Sequence, residues 1–198
     1  MTFQELVDEV TSITKRPDKV AAIESSVKAA TLKAHQSDYY FNDLIEVAVE
    51  FDAARYIQTF DPKDVVPRYR QSKYMRIWEG DINGYAKNFL EHIQIEAALD
   101  NYGHIKTDVF YMAGAFLQIR GTSPVSKVLF GAYQHPLIVP AESYSSWIAD
   151  EYPWAIIYEA ARVLFLQIGF QEQSASMRSL VQEEFIILGI SNVDAVPT

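Results

Sequence analysis

PWAIIYEAARVLFLQIGFQEQSASMRSLVQEEFIILG, residues 153–189, is the stretch from which the fold can be read. In its first half Trp154, Ile157, Ala161, Leu164 and Ile168 recur at helical spacing, and Ile156, Ala160, Val163 and Phe165 widen the apolar surface to most of a cylinder. A helix of that kind has to be covered on more than one side. Pro153 suits the first helical position, where no N–H is needed, and Gly169 suits the left-handed residue after a C-terminus. A second helix is predicted over 172–188, with Met177, Val181, Phe185 and Leu188 in one stripe and Gly189 placed to stop it. Two helices joined by so short a link pack antiparallel.

The N-terminal segment offers partners for this pair. Thr2 and Glu5 have capping-box spacing, and Phe3, Leu6, Val7, Val10 and Ile13 give a helix over 3–15 an apolar stripe. Pro17 opens another over 18–36, where Val20, Ile23, Val27, Ala30 and Ala34 recur and the small side chains allow a close neighbour. From Leu44 the period changes: Val47, Val49 and Phe51 alternate with Ala48 and Glu50, as in a half-buried strand. AARYIQTF, 53–60, fits either a short helix or a strand, and Pro62 and Pro67 bracket an exposed linker. The DING segment, 81–84, reads as a turn, and IEAALDNYG as one or two helical turns closed by Gly103. VFYMAG and AFLQIRG meet at Ala113-Gly114 as a hairpin, and KVLFGAYQ, after Ser123-Pro124, adds a third strand of an antiparallel meander. Pro136 and Pro140 end it, and a helix is expected over 142–150.

The fold class expected is α+β, mainly α. Residues 1–198 form a single domain in which 1–38 and 141–189 make a helical bundle and 45–140 a strand-rich antiparallel insertion. SNVDAVPT has no helical period, and 190–198 are expected to be an extended C-terminal arm or a frayed end. Strand–helix alternation of the Rossmann or barrel kind is absent.

Composition excludes several functions. The chain has no cysteine, hence no disulfide, thiolate metal site or cysteine nucleophile. Its net charge of -9 argues against a nucleic-acid clamp, although it suits a wall past which DNA slides without being gripped. No apolar run approaches the roughly 20 residues of a membrane helix, and the N-terminus lacks a basic region followed by an apolar one, so a soluble protein without a membrane role is expected. Twelve Tyr and eleven Phe fit either a core or a protein interface.

The search for chemistry is short. His92, Glu96, Asp100 and His104 would form a metal-like row on an unbroken helix, but Gly103 interrupts it and no HExxH spacing is present. No phosphate loop, dinucleotide fingerprint or serine elbow occurs; Asp81 belongs to its turn, and Ser123 initiates one. Arg68, Arg70, Lys73 and Arg76 interleave with Tyr69, Tyr74 and Trp78, a pattern suited to stacking on a nucleic acid. The favoured alternative is a strand whose long side chains lie along their aromatic neighbours, or a basic patch docking on an acidic protein. No catalytic, cofactor-binding or metal residue is assigned, and no cofactor is expected.

MTFQELVDEV with RPD, RYRQSKYMR, and SYSSWIADEYPWAIIYEAARVLF with IGFQEQ give the chain a resemblance to the head-to-tail adaptor, or head-completion, proteins of tailed-bacteriophage virions. The resemblance touches both ends and the centre. It implies a non-enzymatic structural connector, a helical bundle with a strand-containing excursion, assembled as a ring, commonly twelvefold, between the portal protein and a tail or nozzle protein. Such a ring extends the DNA channel without tight or sequence-specific binding. Its place is the virion's head-tail junction, reached from the host cytoplasm during assembly. Carried onto this sequence, Ile190, Val193 and Val196 become candidate anchors of a portal-binding arm. Tyr69, Tyr74, Trp78, Phe110, Phe116, Phe130 and Tyr133 become candidate interface residues, with Arg68, Arg70, Lys73 and Arg76 as a basic patch. Tyr144, Trp147, Tyr152 and Trp154 suit interface anchors or, for the two Trp, a buried seam between helices. A tail-completion or collar protein is the nearest alternative; a small cytoplasmic enzyme with a site around His92 or His104 is a different class.

Overall fold

The computed structural model describes residues 1–79, 85–98 and 103–194. In chain order its elements are α1 (Phe3–Thr14), α2 (Val20–Gln36), β1 (Leu44–Phe60), the one-turn α3 (Pro62–Val65), β2 (Tyr69–Glu79), β3 (Tyr85–Phe89), β4 (Glu91–His92), β5 (Val109–Ala113), β6 (Phe116–Gln134), α4 (Trp147–Glu151), α5 (Pro153–Gln167) and α6 (Gln171–Asp194). This mixed α/β content, with more helix than strand, divides into two compact units. One comprises Met1–Asp43 with the chain from His135 onward, the other Leu44–Gln134. The turn expected at 81–84 lies outside the described residues.

In the helical unit α5 is the central rod. Ala155, Ile156, Ile157, Ala160, Ala161 and Leu164 are all fully buried, and α1, α2, α4 and α6 pack around them. The capping box of α1 is made in both directions: the Thr2 hydroxyl accepts from the Glu5 amide at 3.3 Å and the Thr2 amide donates to Glu5 Oε2 at 2.8 Å. Pro17 opens a single 3-10 turn, Pro17–Lys19, that leads into α2, whose Ile23, Val27, Ala30 and Ala34 are buried. α5 ends where Gly169 takes a φ of 84°, a left-handed conformation that glycine adopts without a Cβ clash. The helix expected over 142–150 is broken: a 3-10 turn at Ala141–Ser143 precedes α4, which starts at Trp147 because the Ser146 hydroxyl caps it by accepting from the Ala149 amide.

Two expectations at the C-terminus change. Gly189 does not stop the second helix of the pair, since α6 runs on to Asp194; residues 190–194 are therefore helical and not an extended arm. Gly189 keeps a negative φ, and a glycine inside a helix costs only about 1 kcal/mol relative to alanine. Burial of Leu188 beside it, with the backbone bonds of the following turn, is enough to carry the helix through.

In the other unit β6 is the spine of a sheet of six strands among the described residues. β1 pairs with one edge of it from Leu44↔Tyr133 to Phe60↔Leu117; on the other edge β2 takes the C-terminal half and β5 the N-terminal half. β3 pairs with β2, and β4 with β5. The β4–β5 pairing is parallel, which corrects the purely antiparallel expectation; a parallel pair is joined by a longer connection than a hairpin turn. AARYIQTF is strand, the second half of β1. Pro124 does not start a new strand either. Between Arg120 and Val125 the register with β1 shifts, so Pro124 falls in a bulge where its missing N–H breaks no ladder bond. Gln58 fills the irregularity, its Nε2 donating to the carbonyls of Ala53 and Val125 at 2.7 and 2.6 Å. The PKDVVP segment is not an exposed linker: Asp61 caps α3, and Pro62 and Val66 are buried.

One lateral row ties three strands together. Gly131 on β6 pairs with Glu46 on β1 and with Tyr74 on β2. With no side chain at Gly131, the Tyr74 ring lies across the strand and its hydroxyl donates to Glu46 Oε2 at 2.8 Å. A Cβ at Gly131 would stand 2.5 Å from the ring. Gly131→Ala should therefore cost about 1–2 kcal/mol in urea denaturation, and most of that cost should vanish in a Tyr74→Ala background. An equal penalty in both backgrounds would show that the ring is not what excludes the methyl group.

Candidate functional site

Three cations of the basic strand lie against neutral neighbours. Bulges at Arg70 and Lys73 break the alternation of β2, leaving Ser72, Met75 and Ile77 inward and Tyr74, Arg76 and Trp78 half-buried on the opposite side. Arg76 stacks its guanidinium 3.7 Å from the centre of the Phe89 ring, Arg68 donates to Gln134 Oε1, and the Lys73 ammonium lies 5.9 Å from the Tyr133 ring. Tyr69 stacks on Phe130 and accepts the Ser72 amide. This is the arrangement in which long cations lie along aromatic neighbours.

Of the other interface candidates, Phe110 and Phe130 are fully buried and Tyr133 nearly so; they fill the sheet core and have no surface to offer a partner. Phe116, at the hairpin, is exposed. The metal-like row does not form. His92 sits in β4 and stacks on Phe110, Glu96 belongs to a separate 3-10 turn, Asp100 lies outside the described residues, and His104 is not in a helix. Among the described residues no three His, Cys, Asp or Glu side chains are grouped as a metal would need. Ile190 is exposed on α6, Val193 is in the same helix, and Val196 lies outside the described residues. Trp147 is in a seam between helices, whereas Trp154 is exposed.

The structure assembles two polar clusters that sequence spacing did not reveal, both within the helical unit. In the first, His35 at the end of α2 places Nδ1 2.9 Å from both carboxylate oxygens of Asp43 and Nε2 2.8 Å from the Ser146 hydroxyl. Trp147 Nε1 donates to the same Asp43 at 2.8 Å. A carboxylate only accepts, so Nδ1 donates to Asp43, while Nε2 and the Ser146 hydroxyl share the bond on the other side of the ring. Hydroxyl, imidazole and carboxylate follow in the order of a hydrolase triad. All three side chains are buried, however, and the Ser146 oxygen is committed to the cap of α4. The row works as a clamp that joins the end of α2, the Phe41–Asp43 turn and the start of α4.

The second cluster centres on Glu159, the one charged side chain buried on α5. Its carboxylate is only 1% exposed and is held at three points: Lys33 Nζ at 2.7 Å, and Arg162 Nε and Nη2 at 2.8 Å each. Burial pushes the Glu159 pKa up, but the hydrogen bonds and charges of Arg162 and Lys33 outweigh it and leave the carboxyl below its usual range. Arg162, Lys33 and the nearby Arg178 line a cavity of about 390 Å³ together with Val181 and Phe185.

The outer side of α6 is a third feature. Val181 and Leu188 face inward, while Ile186, Ile187 and Ile190 are 62%, 49% and 57% exposed on neighbouring turns. Among the described residues no helix is long and apolar enough to cross a membrane.

Both polar clusters make measurable demands. Ser146→Ala should cost about 1–2 kcal/mol through the lost cap and bond. His35→Ala should cost about 3 kcal/mol or more, because it also opens a cavity and removes a buried donor from Asp43. A double-mutant cycle should give clear coupling between the two positions. For Glu159 the folded pKa lies below the unfolded value of 4.5, so its contribution is complete above that pH and is lost as the pH falls through the folded value. Glu159→Gln should lower stability at pH 7 by about 2 kcal/mol and flatten the loss of stability below pH 4.5. An unchanged acid limb in this variant would show that the carboxylate is not held as described.

No protein-family model matches the chain and no curated protein matches its sequence, which leaves its role to be read from its own residues.

Proposed function

We propose that this protein is a non-enzymatic structural connector of a tailed-bacteriophage virion, forming a ring between portal and tail that extends the DNA channel. The observation that carries the reading is the exposed isoleucine face of α6. A helix apolar on two sides expects a cover on each; here the inner side is met by α5 and the outer one is left for another chain. Continuation of α6 through Gly189 places Ile190 on that face, so the C-terminal anchor of the resemblance becomes a helical surface instead of an extended peptide. Exposed Tyr56 and Ile57 on β1 and Phe116 at the β5–β6 hairpin supply further apolar contact points in the strand-rich unit. The net charge of -9 supports a channel wall that repels DNA, in keeping with a basic strand whose cations lie along aromatic rings and polar neighbours. A tail-completion or collar protein would use the same surfaces without the portal.

Light scattering and native mass spectrometry of the protein, with and without the portal protein of the same virion, test this reading. The expected result is one copy joined to each portal subunit. Ile186→Ser, Ile187→Ser and Ile190→Ser combined should weaken that complex at least 100-fold, since burying each isoleucine contributes about 1.5 kcal/mol or more. A protein that ignores the portal, or a triple variant that binds it as tightly as the parent, would sink the proposal.

A further inference from the structure

The cavity beside Glu159 has a charge balance opposite to that of the whole protein. Lys33 from α2, Arg162 from α5 and Arg178 from α6 converge on it, against a single carboxylate. Both oxygens of Glu159 already accept, from Lys33 and from the forked contact of Arg162, and its single charge offsets only one of the three cations. Two positive charges among these lining residues are therefore left uncompensated, in a chain whose net charge is -9.

Donors remain as well as charge. An ammonium has three N–H groups and a guanidinium five, and Glu159 takes one from Lys33 and two from Arg162. Lys33 is 51% exposed, so its remaining donors face open space, and Arg178 is exposed across the cavity. The buried carboxylate thus acts as a fixed post that orients two cations toward the opening, as a binding site needs its first contacts positioned in advance. Desolvation of Lys33 is eased by the Phe185 ring, 5.8 Å from its ammonium.

The rest of the lining selects among anions. Val181 is buried and Phe185 half-buried beside the exposed amide of Gln182, so an anionic group carried on a short apolar stem finds apolar surface next to the cations. Phe185 also borders a second cavity of about 440 Å³, which runs along α6 past Tyr40 and the exposed Ile186. Asp38 lies on that second cavity and disfavours another acid there. Along α6 the environment passes from cationic, at Lys33, Arg162 and Arg178, to aromatic at Phe185, and then to a mixed stretch where Ile186 and Tyr40 stand beside Ser37 and Asp38.

We infer that this groove binds a segment of a partner protein in which a Glu or Asp side chain enters the Lys33–Arg162–Arg178 cavity and a neighbouring apolar residue lies against Phe185 and Ile186. The inference does not depend on the connector reading, because the groove is complete within one helical unit and its ligand chemistry follows from its lining alone.

The test is a titration of the intact protein with the tripeptide acetyl-Leu-Glu-Leu-amide, followed by NMR at the Arg side-chain N–H and Phe185 ring signals. Saturable shifts are expected at a Kd on the order of 1 mM, weakening about tenfold with the Gln analogue of the peptide. Arg178→Glu, at an exposed position, should abolish the shifts while circular dichroism and melting stay as in the parent, and Arg178→Lys should restore part of them. Equal binding of the Glu and Gln peptides, no saturable shift, or an unaffected Arg178→Glu variant would overturn the proposal. Two further arms address the source of the anion. Inorganic phosphate binding more tightly than the Glu peptide would overturn the carboxylate assignment, and glutarate binding as tightly as the peptide would overturn the protein-segment assignment. Failure of portal binding with success here would set aside the connector alone.

Discussion

Burial of α5 on nearly every side is the constraint on which the helical unit depends. Ala155, Ile156, Ile157, Ala160, Ala161 and Leu164 present apolar surface around most of the rod, and no single neighbour can cover it. α1 and α2 come from one end of the chain, α4 and α6 from the other, so the two ends have to meet around α5. The segment between them, Leu44–Gln134, then has to form a unit of its own. Small residues at 155, 160 and 161 on α5, and at 30 and 34 on α2, let neighbouring backbones approach closely.

A core so apolar makes each of its few buried polar groups expensive unless it is paired. Glu159 is paired twice over, and His35, Asp43, Ser146 and Trp147 satisfy one another. These clusters do different work. The histidine row is closed to solvent and fixes where the chain enters and leaves the bundle. The glutamate cluster stands at the edge of a cavity, so the cations that neutralise it also face outward. Stability and surface chemistry are coupled there, because the charge that anchors α2 to α5 also determines what the groove attracts.

The strand-rich unit is organised by the length of β6, which serves β1 along one edge and both β2 and β5 along the other. A strand of that length accumulates twist, and its irregularities fall where the side chains tolerate them: at Pro124, which needs no ladder bond, and opposite the exposed 53–57 stretch of β1. Gly131 is the counterpart at the other end, an absent side chain over which Tyr74 reaches Glu46. Arg70 and Lys73 fall at bulges, and Arg76 is drawn onto Phe89, so the cations and aromatics that alternate in sequence do not follow a regular strand alternation.

Sequence alone determined what depends on local spacing. The capping box at Thr2 and Glu5, the apolar stripes of α1, α2 and α5, the left-handed Gly169, the alternation at Val47, Val49 and Phe51 and the hairpin at Gly114 are all short-range consequences of backbone geometry, legible without the fold. Gly189 misled because a glycine stop is a weak preference, outweighed once Leu188 is buried by a neighbour. Pro124 misled because a proline breaks a strand only where the partner needs its N–H, and the partner's register is a tertiary fact. The candidate sites were the least legible part. His35, Asp43 and Ser146 are separated by 8 and 111 residues, and Lys33 and Glu159 by 126, so no motif length contains them. Only the packing of α2 beside α5 and the start of α4 decided that these ordinary residues would share two places, because burial of Glu159, His35 and Asp43 there is tolerated only where polar partners are at hand.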